Sequence, residues 1–312
     1  GAQTAPAPVF DPPAKELRRR AHATKTDARI DIDGRLDEEP WQSAEAISDF
    51  VQTEPLQGQP ATHASRVKVL FDDDRLYFGV RLDQPGGWAA FNQRDMRRDF
   101  STDECDSFGI FIDSFGDSRN AFSFQVNPWG AQRDSQSIDA TLFEVNWDTV
   151  WYSQTTRDDE GWTLEVAIPW KSLRHNGVAN GWGLQFYRRE RGVNEDSVFS
   201  PVPRSLTPYV MAYAGVLEGL EPPVQRKLSA QLRPYAIARV ERQDNGSIQI
   251  GPGVGGEITW APTPASVVDL TVNTDFAETD VDRRVVNLRR FSVFLPERRQ
   301  FFLESSGVFT SG

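Results

Sequence analysis

The chain has 312 residues, with 34 Lys and Arg against 45 Asp and Glu, a formal charge of −11 and a sequence pI of about 4.9. Such an acidic balance lacks the basic surface that grips phosphate backbones, so no nucleic-acid partner is expected. The length suits two units, the 38% hydrophobic and 25% charged content excludes collagen-like and wholly disordered chains, and no run of about 20 apolar residues offers a spanning helix.

Gly1-Ala2-Gln3-Thr4-Ala5-Pro6-Ala7-Pro8 reads as a Pro/Ala-rich mature N-terminus left by signal cleavage, which predicts an exported protein. Residues 1–21, with Pro12-Pro13 and the basic run Arg18-Arg19-Arg20, read as a tether. From Ala28 onward, short runs rich in Val, Ile, Phe, Tyr and Trp alternate with Asp, Gly, Asn and Pro, the pattern of antiparallel β structure. The predicted strands are Ile30 to Ile32, Arg66 to Phe71, Leu76 to Leu82, Ser107 to Asp113, Ala121 to Asn127, Val150 to Thr155, Trp162 to Ile168 and Gly183 to Arg188.

Asp72-Asp73-Asp74 reads as a hairpin turn whose carboxylates bond local amides. Helix signals are short: Asp37-Glu38-Glu39-Pro40-Trp41 starts one that runs through Ala46, and Trp170-Lys171-Ser172-Leu173 forms a turn after Pro169. Glu221-Pro222-Pro223 reads as a linker, which divides residues 22–222 from a β-rich segment, 223–312. In that segment Leu228 to Glu241 and Glu257 to Asp275 read as long alternating strands. Pro252-Gly253, Gly255-Gly256 and Pro262-Thr263-Pro264 read as turns, and no continuous lipid-facing band can be assigned. Phe291, Phe294, Phe301, Phe302 and Phe309 are expected to be buried against the first unit or another chain.

Ile30-Asp31-Ile32-Asp33-Gly34-Arg35-Leu36-Asp37-Glu38-Glu39-Pro40-Trp41 resembles the opening of family 9 carbohydrate-binding modules. Four further blocks resemble that family in the same order: Arg66 to Leu82, Asp106 to Asp113, Phe124 to Asn127, and Gly161 to Trp170. The resemblance spans about Ala28 to Leu220 and implies an all-β, jelly-roll-like β-sandwich whose sugar-binding members clamp a terminal sugar between aromatic faces. Several ligand positions of such modules differ here: Asp103 falls at the clamp Trp, Gly109 at the carboxylate, Gln125 at the Arg and Tyr187 at the Gln. Ser200 to Arg204, Asn273 to Phe276, Val286 to Leu288 and Phe294 to Glu304 resemble a narrower group, bacterial outer-membrane proteins with this module ahead of a β-barrel. That likeness implies that the C-terminal segment begins a barrel whose remainder is missing, with an association with glycoside hydrolysis.

Sugar recognition needs flat apolar faces and planar polar groups, and nine Trp supply the first. The candidate set is Gln125, Asn127, Trp129, Gln132 and Arg133, with Trp88 and Phe91 on a second loop and Trp147 in a third cluster. Trp41, Trp162 and Trp170 read as core. Asp103, Asp106, Asp113 and Asp117 are the candidate metal ligands, and calcium is the ion that such oxygens would take; no other cofactor is expected. His22, His63 and His175 have no zinc spacing, and acidic neighbours disfavour a Cys105 thiolate. With no catalytic motif, the expected function is a non-catalytic glycan-binding module in the periplasm or on the outer-membrane surface. A structural or protein-interaction domain without sugar affinity and a component of a glycan hydrolase remain open.

Overall fold

The computed structural model describes residues 11–91, 95–138, 142–145, 147–175, 177, 181–223, 229–242, 248–263 and 266–272. The chain forms two units, Gly1–Pro223 and Val224–Gly312.

In the first unit the elements run β1 (Arg20–Lys25), α1 (Glu39–Ser43), β2 (Val51–Glu54), β3 (Ser65–Phe71), β4 (Arg75–Asp83), β5 (Ser107–Asp113), β6 (Ala121–Val126) and β7 (Gln132–Ile138). They continue with β8 (Leu142–Glu144), β9 (Tyr152–Asp158), β10 (Gly161–Pro169), β11 (Trp182–Glu190), β12 (Glu195–Val198) and β13 (Gly215–Glu218). One layer has the order β8-β7-β6-β5-β11-β13-β1, with β12 and β2 attached beside β11; the other is β1-β3-β4-β10-β9. β1 joins the two. Its Arg20–His22 half runs parallel to Val216–Glu218, and its Ala23–Lys25 half runs parallel to Val69–Phe71. The remaining pairings in this unit are antiparallel among the described residues, and the result is a nearly closed β-sandwich.

The period-two alternation decides what fills it. Phe108, Ile110 and Ile112 of β5, Phe122 and Phe124 of β6, and Leu184 and Phe186 of β11 form one buried core with Phe78, Val80 and Leu82 of β4 and Trp162, Leu164 and Val166 of β10. Phe186 stacks on Phe108 with ring centroids 5.7 Å apart. At one end the two layers are tied by Arg188, whose guanidinium donates to the carbonyls of His63, Ala64 and Asp83 and pairs with Glu190 at 3.0 Å.

The outer face of the second layer is covered by residues 26–44. Ile30, Trp41 and Ala44 pack there on Leu70, Tyr77 and Ala167. Gly79 of β4 lies beneath them, and a Cβ at that position would come within 2.7 Å of Leu36 and 2.9 Å of the Trp41 ring. Glycine is therefore required by the close approach of the indole.

Three expectations need correction. The tether reading of residues 1–21 fails at its end, because Lys15–Leu17 form a 3-10 turn and β1 starts at Arg20; residues 1–10 lie outside the described residues. Ile30 to Ile32 is an extended cover on the sheet and not a strand. The helix ends at Ser43, short of Ala46. The Asp72 turn and the turn after Pro169 form as the sequence indicates: Asp72 Oδ1 accepts the N–H of Asp74 at 2.8 Å and of Arg75 at 2.7 Å, and Trp170–Ser172 form a 3-10 turn.

The second unit contains β14 (Ser229–Arg242), β15 (Ile248–Thr263) and β16 (Ser266–Val272), an antiparallel sheet in that order. Pro252-Gly253 and Gly255-Gly256, read as turns from sequence, lie inside β15. β16 pairs with β15 only from Gly256 onward, so Pro252 sits where β15 has a single described neighbour and its missing N–H is tolerated. With the strands aligned, an apolar face does emerge. Leu232, Val254, Ile258, Trp260, Val268, Leu270 and Val272 are all exposed and all at even-numbered positions. The register sets Leu232 opposite Ile258, Ile258 opposite Leu270, Trp260 opposite Val268, and Gly256 opposite Val272. Directly opposed residues share a face, so these side chains form one contiguous band. Phe291, Phe294, Phe301, Phe302 and Phe309, and the family-like blocks beyond Asn273, lie outside the described residues.

Candidate functional site

The odd-numbered positions of β5, β6, β7 and β11 point away from that core, where Phe111, Ala121 and Tyr187 join a second buried cluster beside buried polar residues that form a polar face. Cross-strand register puts Tyr187, Gly109, Gln125 and Arg133 in one row, and Gln185, Phe111, Ser123 and Ser135 in the next. Gln125 Nε2 donates to Ser123 Oγ at 3.0 Å, and an Arg133 Nη1 hydrogen bonds to the Phe100 carbonyl at 2.9 Å. Arg133 Nε and the hydroxyls of Ser135 and Ser137 are buried without a partner among the described residues. Buried polar groups are ordinarily satisfied, so unmet capacity on three neighbouring side chains of one strand stands out, with Ser135 and Ser137 fully enclosed.

Beside this row the chain supplies its own contacts. Tyr187 donates its phenol hydrogen to Asp196 at 2.7 Å, and burial is the main cause that holds its pKa above the ordinary tyrosine range. Arg189 pairs with Asp103 at 2.6 Å and with Asp196 at 3.3 Å, and Arg191 also pairs with Asp196. Met211 and Tyr213 pack with Phe111, Ala121 and Tyr187, and the Tyr209 ring lies 6.2 Å from that of Phe111. A Cβ at Gly109 would come within 3.0 Å of the Phe111 ring and 3.2 Å of Gln125 Cγ, so a carboxylate there would displace both.

The candidate residues from sequence do not form one site. Gln125 and Arg133 are adjacent on the polar face. Gln132 lies on the opposite face of β7 and donates to Ser153 Oγ of β9 at 3.0 Å, bridging the two layers. Asn127 is fully buried and shapes its own loop: Oδ1 accepts the N–H groups of Trp129 and Ala131, and Nδ2 donates to the Asp95 carbonyl. Trp129 is half-buried, edge-on to the buried Phe91 at 5.8 Å with the Arg157 guanidinium 5.3 Å from its ring centre. Trp147 packs on Phe122 at 5.1 Å and on Phe124 at 6.1 Å, at the border of the core. The main chain of Trp88 lies in a 3-10 turn, Gly87–Ala90, and its side chain is outside the described residues. Sequence reasoning missed Ser123, Ser135 and Ser137, whose only signal was small polar residues at period two in a neighbouring pair of strands.

The acidic set does not assemble either. Asp106 and Asp113 flank opposite ends of β5. Asp113 Oδ1 accepts the N–H groups of Phe115, Gly116 and Asp117 and Oδ2 that of Ser118, so both oxygens are spent on amides; burial nevertheless pushes its carboxyl up to about 6. Asp106 accepts from Gln84 and from the N–H of Arg191, Asp103 pairs with Arg189, and Asp117 bonds Arg119 and Asn120. Among the described residues no three His, Cys, Asp or Glu side chains are grouped so as to hold a metal ion.

Comparison with known families gives two matches. Residues 32–199 match the carbohydrate family 9 binding domain-like family, and residues 226–312 match a domain of unknown function (DUF5916). The first covers more than half of the chain, and the protein belongs to the carbohydrate family 9 binding domain-like family. Among solved structures, a candidate carbohydrate-binding protein of Bacteroides uniformis shares the fold at 12% identity and a TM-score of 0.51, over 64% of this chain and 98% of that one. A family 9 carbohydrate binding module of Caldicellulosiruptor kristjanssonii, solved with cellotriose, is 17% identical with a TM-score of 0.44 over 65% of this chain and 95% of the module. The same module with glucose is 16% identical at 0.44, over 66% and 100%. No curated protein matches.

Proposed function

We propose that the first unit is a non-catalytic glycan-binding module of an exported envelope protein. The observation that carries this is the polar row on β6 and β7, where Gln125 and Arg133 offer planar groups suited to sugar hydroxyls beside the unpartnered Ser135 and Ser137 hydroxyls, within a fold of a carbohydrate-binding family. Family modules solved with cellotriose and with glucose support neutral sugars as the first ligands to test. A glycan array probed with the full chain in detergent tests it. Binding to at least one glycan, weakened by Arg133→Ala, is the expected result; an empty array overturns it.

The apolar band of β14–β16 supports the second half of the proposal, that the Val224–Gly312 unit lies in an outer-membrane bilayer. Strands of membrane barrels alternate apolar and polar residues, with the apolar side toward lipid. The 14 residues of β14 span about 48 Å at about 3.4 Å each, enough to cross an apolar band of about 25 Å at a barrel's tilt. Quenching of Trp260 fluorescence by brominated lipid in vesicles is the expected signature.

A second reading is favoured by a separate observation. Tyr187, Arg189 and Asp196, with the aromatic cover from Tyr209 and Tyr213, supply internal partners where a sugar would lie. A protein-interaction domain without sugar affinity would have this character, and an empty array would favour it.

A further inference from the structure

A groove of about 830 Å³ lies away from the polar face, between the segment after β1 (Asp27 to Ile32), the β3–β4 hairpin turn (Asp72 to Tyr77) and the start of β9. Its volume is within the range of sites that hold ligands of a few rings, about 300–1,000 Å³. Tyr152 presents an aromatic ring at its edge that is 46% exposed. The Arg75 guanidinium lies over that ring, 5.2 Å from its centre, on one of its two faces. Trp151, only 5% exposed, also lines the groove, and its indole N–H has no hydrogen-bond partner. The exposed aromatic ring is a surface on which a ligand with an apolar ring face stacks.

Charge narrows the ligand. Four aspartates, Asp27, Asp31, Asp72 and Asp74, line the groove against two arginines, Arg29 and Arg75. Arg29 is paired with Asp31 at 2.8 Å, and Asp72 is committed to the hairpin amides and to the Tyr77 hydroxyl at 2.7 Å. Asp27 and Asp74 are both exposed and make no ion pair among the described residues, which leaves acceptors for donated hydroxyls and a field that repels acidic sugars.

We propose that this groove is a second glycan-binding site, specific for short neutral oligosaccharides, with Tyr152 as the stacking platform. The proposal rests on the reading of the unit as a glycan-binding module.

Calorimetric titration of the full chain in detergent with cellohexaose, mannohexaose, N-acetylchitohexaose and oligogalacturonate tests it. The expected result is binding of a neutral hexaose that weakens about tenfold or more in Tyr152→Ala and is retained in Tyr152→Phe, with oligogalacturonate not bound at the Tyr152-dependent site. Thermal melting of both variants checks that substitution at this exposed position leaves the fold intact. If a glycan binds and Tyr152→Ala does not weaken it, the groove assignment falls while the glycan-binding reading stands. If oligogalacturonate binds with equal affinity through Tyr152, the neutral specificity is wrong. If no glycan binds, both readings fail together.

Discussion

The indole N–H of Trp41 donates to Glu165 Oε1 at 3.0 Å, while Oε2 of the same carboxylate accepts the backbone N–H groups of Asp33 and Gly34 at 2.9 and 2.8 Å. Two of the sequence blocks that mark the family thus meet at one buried carboxylate. The turn at Asp33-Gly34, the helix that carries Trp41 and the strand that carries Glu165 are locked together over the outer face of the second layer.

Glu165→Gln should destabilise the protein by about 1–3 kcal/mol, because an amide replaces one acceptor with a donor facing N–H groups. Urea unfolding measures it. A double-mutant cycle with Trp41→Phe should be non-additive, since both changes remove one shared bond.

Stability should rise as pH falls from about 8 to about 5. Burial pushes Glu165 up to about 7 and Asp113 up to about 6, against ordinary values of 4.5 and 3.8. In that window the folded state binds protons that the unfolded state does not, which favours folding. His175, lowered by burial, works in the opposite sense as pH falls through its ordinary 6.5. A melting series across this range should show the rise, and Glu165→Gln should flatten it. A melting temperature that falls steadily from pH 8 would contradict the assignment.

Trp162→Ala should lose about 3–5 kcal/mol, the usual penalty for emptying an aromatic site in a closed core, since Trp162 is almost fully buried among the core residues. Trp129→Ala should lose less, about 1–2 kcal/mol, because its ring is half-buried at the border of the core, with contacts that include Phe91 and Arg157. Equal losses in denaturant titrations would place Trp129 in the core.

Arg188→Ala should cost about 3–5 kcal/mol, since it leaves the buried Glu190 with His63 as its remaining partner and removes the donor that three carbonyls of the opposite layer share. Arg188→Lys should recover only part, because an ammonium cannot reproduce the planar fork. Both are read from chemical unfolding.

Leu270→Arg should reduce partitioning of the full chain into lipid vesicles, because it puts a charge in the centre of the exposed band; the usual penalty at a bilayer midplane is about 2–4 kcal/mol. Flotation assays compare it with Thr271→Arg, one residue along the strand. Equal flotation of the two variants would remove the band from the bilayer.

The sequence by itself determined the all-β class, the core-facing strands β4, β5, β6 and β10, and the Asp72 turn, because hydrophobic alternation and turn chemistry are local properties that survive without knowledge of neighbours. It did not reveal β7. Gln132-Arg133-Asp134-Ser135-Gln136-Ser137 has no apolar alternation, and it is a strand because β6 satisfies its backbone groups whatever its side chains are. The splitting of Gln125 and Arg133 from Gln132 was likewise decided by register, since neighbouring positions on a strand point to opposite faces. The exposed apolar face of β15 was hidden by Pro252 and its glycines, and it appeared only when Ile258 and Trp260 were aligned with Leu270 and Val268 across the ladder. Which polar groups lie buried without partners depends on every element packed around them, and for Trp151 and Ser135 only the tertiary structure could decide it.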